Sequence, residues 1–149
     1  MTGGNGNDWS GIITWAILFL GWFVVHKVTL IRERRKEKRE TAKQFCTDLR
    51  ELEIAALDFH TADNRNGRKA TDLRQQVERV ILQLQRKPLS QLNVPLSRMV
   101  VLRQRITRNN MDPSDFGSKL ADDLFIYEIR NAITDLIASV EDEREKLWP

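Results

Sequence analysis

Thiol and imidazole chemistry are almost missing from this chain. It has one cysteine, Cys46, and two histidines, His26 and His60. A lone cysteine excludes an intrachain disulfide framework. Cys46 and His60 lie fourteen residues apart, about 21 Å along one straight helix, too far to share a zinc ion or act as nucleophile and base. No CxxC, HExxH, P-loop, GxGxxG or GxSxG pattern occurs, so the residues supply no familiar metal, phosphate or acyl-transfer machinery. Asp63-Asn-Arg-Asn-Gly67 offers Arg65, Gly67 and Arg74 where a calcium loop needs oxygen ligands. Asp122-Asp123 and Glu141-Asp142-Glu143 are adjacent carboxylates, which point in different directions on a helix and read as a solvated acidic face. Neither catalysis nor a cofactor is expected.

Strand patterning is also absent. No stretch alternates polar and apolar residues, and no internal repeat occurs, which excludes a sheet built on alternation. Aromatics are missing from Arg65–Arg108. That removes the stacking platforms single-stranded nucleic acid uses, although clustered cations alone could hold phosphate.

What is present begins with Gly11–Ile31, GIITWAILFLGWFVVHKVTLI, which carries no charge between Gly11 and Val25. As a helix its 21 residues reach about 31 Å, the thickness of a bilayer hydrocarbon core. The leader MTGGNGNDWS has no Lys or Arg, whereas Lys27–Lys43 holds eight against three Glu. Positive charge after the run and no small-residue cleavage site predict an uncleaved anchor. By the positive-inside rule it has a short N-terminus outside and the remainder cytoplasmic, in the cell (inner) membrane. Trp9, Trp22, His26 and Lys27 are the expected interface residues. His26-Lys27 reads as the inner boundary, with the lysine stem snorkelling to the headgroups, rather than an intramembrane proton site. Thr14 and Gly21, seven apart, offer only a weak helix-association face.

Arg32–Lys43 contains Arg32, Arg34, Arg35, Lys36, Lys38 and Arg39. These good helix formers predict a solvated stalk that sets topology and meets anionic lipid, each cation contributing about 1 kcal/mol near the surface. Glu33–Lys36 and Lys36–Glu40 have helical ion-pair spacing.

Residues 44–149 are expected to form a small all-α domain, an antiparallel bundle of about four helices. Phe45, Leu49, Leu52, Ala56 and Phe59 share one helical face, which reads as bundle core rather than a seam between two chains. A second helix is predicted from a cap at Thr71 or Asp72 to Lys87, burying Leu73, Val77, Val80, Ile81 and Leu84. A third runs from Leu96 to Arg108, with Leu96, Met99, Val100, Leu102 or Arg103, and Ile106 inward. A fourth runs from Ser114 or Ser118 to Lys146, with Ile126, Ile129, Ile133, Leu136, Ile137 and Val140 inward. Cys46 is expected to be buried or half-buried, and His60 to sit charged at a helix end.

Charge is segregated: 44–64 nets −4, 65–108 nets +9 and 109–149 nets −6. The helices can satisfy one another, or a basic face on the second and third helices, strongest at Arg98, Arg103, Arg105 and Arg108, can meet an acidic partner. Three functions follow. One is a non-enzymatic module that recruits or organises a protein partner at the membrane. The second is a membrane-acting effector, a toxin, stress or defence protein, whose helical domain controls self-association of the span. The third, disfavoured by the missing aromatics, is a tethered nucleic-acid binder.

Overall fold

A computed structural model describes residues 8–64, 66–107, 111, 112, 114 and 116–148, with side chains from Gly11 onward. Among these residues there is no strand; the chain is all-helical. Helix α1 spans Asp8–Thr61, α2 Gly67–Gln85, α3 Leu96–Thr107 and α4 Leu124–Leu147, with a short 3₁₀ turn at Leu89–Gln91 between α2 and α3. The chain divides into two units, Met1–Glu37 and Lys38–Pro149.

In the first unit every described side chain from Gly11 to Glu37 is exposed. The helix needs no core there because its own backbone bonds satisfy its polar groups. Thr29 bonds its hydroxyl back to the Val25 carbonyl at 2.9 Å. This is the one helix among the described residues long and apolar enough to cross a membrane.

The second unit is a bundle. Phe45, Leu49, Leu52, Ala56 and Phe59 all lie in one buried cluster with residues of α2, α3 and α4, so this α1 face is filled within a single chain. The cross-helix bonds reveal the order of packing. Asp58 meets Lys69 and Asp48 meets Gln83, so α2 runs antiparallel to α1. Glu78 with Arg103 joins α2 to α3. Arg98 with the Asp135 carbonyl and Arg105 with Glu128 make α3 antiparallel to α4. Glu53 with Arg130 returns α4 to α1.

Several boundaries and faces differ from the sequence expectation. The bundle begins at Lys38 rather than Gln44, and Ala42 is already fully buried. Helix α2 starts at Gly67 because the Asn66 side chain caps it, accepting from the Arg68 and Lys69 amides at 3.0 and 3.2 Å. Thr71 and Asp72, the two expected caps, are interior residues of α2, and Thr71 bonds back to the Gly67 carbonyl.

Helix α3 buries Met99, Leu102 and Ile106, while Leu96 and Val100 are 66% and 53% exposed. The two stripes lie side by side on a short helix, and only one meets the core. Helix α4 begins at Leu124, capped by Asp123 onto the Phe125 amide at 2.8 Å. Ser118, an expected start, is instead tied to α1. Its hydroxyl donates to the Thr61 carbonyl at 3.1 Å, and the Lys119 amide donates to the His60 carbonyl at 2.8 Å. The segment thus satisfies carbonyls that a helix C-terminus leaves open.

Candidate functional site

The apolar end of α1 organises its aromatics locally. Trp22 and His26, one turn apart, stack with ring centroids 5.3 Å apart and planes 2° from parallel. Lys27 places its ammonium 5.4 Å from the centre of the Phe23 ring. Both polar groups therefore lie against the aromatic side chain four residues earlier. Trp9 falls outside the residues whose side chains are described.

The six stalk cations divide. Arg32, Arg34, Arg35 and Lys36 are exposed and have no ion-pair partner among the described residues. Glu40 pairs with Lys43 at 3.3 Å, and the Glu33–Lys36 pair that the spacing allows is not formed. Lys38 and Arg39 belong to the bundle. Lys38 donates to Gln91 at 3.0 Å and lies 5.5 Å from the centre of the Trp148 ring. Arg39 Nε donates to the Trp148 carbonyl at 2.7 Å. Trp148 itself is only 6% exposed. Sequence reasoning passed over it because it follows the charged run Glu141–Lys146. A lone aromatic closing such a run was the available signal.

The arginines singled out on α3 do not converge. Arg98 Nη1 donates to the Asp135 carbonyl of α4. Arg105 pairs with Glu128 of α4 at 2.6 Å, and Arg103 turns the other way to Glu78 of α2 at 2.9 Å. Arg108 lies outside the described residues. Arg103 and Arg105 remain 59% and 39% exposed, so each pair contributes at most about 1 kcal/mol. Arg79, Arg86 and Lys87, on and just after α2, are among the cations left without a side-chain partner among the described residues; all three are exposed. Spacing could not reveal this, because pairing depends on which helix becomes a neighbour.

His60 is fully buried at the end of α1, which corrects the expectation of a charged residue there. Its Nε2 lies 3.0 Å from the Ile106 carbonyl. The carbonyl can only accept, so Nε2 carries the proton. The Phe59 and Phe125 rings meet the imidazole edge-on at 5.0 and 4.9 Å. Burial drives its pKa down to about 4, the Ile106 bond opposes that shift, and Lys119 adds to it. The ring is neutral at pH 7 and joins the ends of α1 and α3. Cys46 is buried too, and burial followed by the nearby Glu141 pushes its thiol pKa up. It is a protonated core residue and a poor nucleophile.

The carboxylate clusters have structural duties. Asp123 caps α4, while Glu143 accepts from Lys146 at 2.7 Å and from the Asn93 amide at 3.3 Å. Among the described residues no three His, Cys, Asp or Glu side chains gather to hold a metal ion. No family model, curated protein or solved structure matches this chain.

Proposed function

We propose that this protein is a single-pass, membrane-anchored, non-enzymatic module whose cytoplasmic helical bundle recruits or organises a protein partner. The observation that carries this reading is the division within α1. Its N-terminal part exposes Trp15, Phe19, Leu20 and Trp22 by 63–69%, while its C-terminal part buries a complete stripe in a folded core. Such a continuous apolar surface is stable in lipid and a liability in water. The four unpaired cations that follow the apolar run favour an N-out, C-in orientation in the cell membrane, and they suit anionic headgroups. Arg98, Arg103 and Arg105 are engaged within the chain, which counts against a nucleic-acid role for them.

The test is extraction of the full-length protein. It should resist alkaline carbonate, stay in the membrane fraction, and expose its C-terminal domain to protease only from the cytoplasmic side. In mild detergent a stoichiometric second protein should co-purify. A mass that is an integer multiple of 17.4 kDa with nothing else bound, together with loss of membrane potential on overexpression, would replace this reading with the effector.

A further inference from the structure

The outer face of α2 combines unpaired cations with an exposed apolar residue. Arg79 and Leu82 on α2 and Arg86, its C-cap, lie three and four residues apart, are all exposed, and line one depression. Neither arginine has a partner among the described residues, nor does Lys87 just beyond. Leu82, 49% exposed, lies between the two arginines.

Beside the stripe, Gln83 donates its amide nitrogen to Asp48 at 3.1 Å, while its Oε1 is buried with no hydrogen-bond partner. Turning the amide over would point its oxygen at the carboxylate, so Asp48 fixes the assignment. A buried acceptor without a donor is unfavourable. Depressions open on both sides of Gln83, one reaching Arg79 and the other Arg86 and Lys87, with Asp48 in the floor of both and Glu51 on the α1 wall of the first. A third runs along α2 past Leu82.

We propose that Arg79, Leu82 and Arg86 form the docking surface for an acidic amphipathic helix of a partner protein, with an apolar anchor on Leu82. This rests on the interaction-module reading and names its partner's chemistry. Charge complementarity selects the occupant. The stripe offers two unpaired cations about one turn to either side of an apolar residue, so the matching helix carries carboxylates about one turn before and after its own apolar anchor. The α3 arginines cannot serve equally, because Arg103 and Arg105 are already ion-paired to α2 and α4 and Arg98 donates to the Asp135 carbonyl.

The experiment uses the full chain in zwitterionic nanodiscs and a fluorescent amphipathic peptide of about 15 residues, Glu on one face and Leu on the other, read by anisotropy. Wild type should bind it saturably. R79E/R86E should weaken binding about tenfold or more, and L82S several-fold, while R103E should leave it unchanged. A charge-swapped Lys/Leu peptide should bind R79E/R86E better than wild type, which a merely misfolded variant could not do. Equal binding by R79E/R86E overturns the proposal. So does equal affinity for a non-helical polyglutamate, which would indicate charge attraction alone. Two further results overturn it by naming another occupant: R79E/R86E abolishing self-association of the peptide-free chain, or abolishing binding to anionic vesicles in place of the peptide. If a native partner co-purifies with both wild type and R79E/R86E, this surface is wrong and the module stands; if none co-purifies with either, the module reading falls.

Discussion

Helix α1 carries two kinds of surface on one continuous backbone. Between Gly11 and Ile31 it is apolar nearly all round and touches no core; between Lys38 and Thr61 it is apolar on one stripe only. The same hydrogen-bond ladder supports both, so the difference lies in side chains and in the medium they suit. An all-round apolar helix is satisfied by lipid, whereas an amphipathic one needs neighbours to cover its stripe. Ile54 and Leu52 show the second rule at two residues' separation, 68% and 1% exposed.

The largest effect should come from making the first surface unlike lipid. Charging it with Leu18→Asp and Leu20→Asp, each about 2.5–3.5 kcal/mol unfavourable at a bilayer centre, should move the protein from the carbonate-resistant pellet to the soluble fraction. The reverse result, retention of the doubly charged chain, would mean that the bundle itself holds the membrane.

Next comes the contrast within the bundle half. Leu52→Ala should destabilise by about 2–5 kcal/mol, because the closed core cannot fully collapse around the gap. Ile54→Ala should change stability by less than about 0.5 kcal/mol. Chemical unfolding followed by circular dichroism distinguishes them, and similar losses at both positions would show that Ile54 is covered by something in solution.

His60 sharpens the comparison through pH. Its folded pKa, about 4, lies below the ordinary 6.5. Between those values the unfolded chain binds the extra proton, so stability rises with pH. The bundle should be at full strength above about pH 6.5 and lose up to about 3 kcal/mol as pH falls toward 4. Because carboxylates also titrate there, the measurement is the difference between wild type and His60→Gln at pH 7.5 and 4.5. Parallel losses would show that the ring is already accessible to protons in the folded state.

The last contrast is between two arginines of the bundle. Arg39→Ala removes a charge-assisted bond to the Trp148 carbonyl and should cost about 1.5–3 kcal/mol. Arg105→Ala breaks an exposed pair and should cost at most about 1 kcal/mol. An inverted order would mean that the C-terminal end of α4 is held by Trp148 packing rather than by Arg39.

Much of the fold was legible in advance. The apolar run and, among the described residues, the absence of strands, the four helices and the stripes of α1, α2 and α4 follow from residue periodicity, because a period near 3.6 states which side chains share a face. Helix starts were less legible: Asn66 and Thr71 both resemble caps, and only the realised bond to Arg68 and Lys69 distinguishes them. The face of α3 was ambiguous because twelve residues leave two adjacent stripes nearly equal.

The candidate surface was legible only in its overall sign. Residue order alone implies segregated charge, an apolar run long enough to cross a membrane as a helix, and helical periodicity after it. Tertiary structure alone decided that Arg98, Arg103 and Arg105 would be engaged while Arg79 and Arg86 stay open, that His60 would be neutral, and that Lys38 and Arg39 would hold Trp148. The physical reason is one of range. Helical period and hydropathy act within a few residues, whereas pairing and burial depend on which distant segment packing brings alongside.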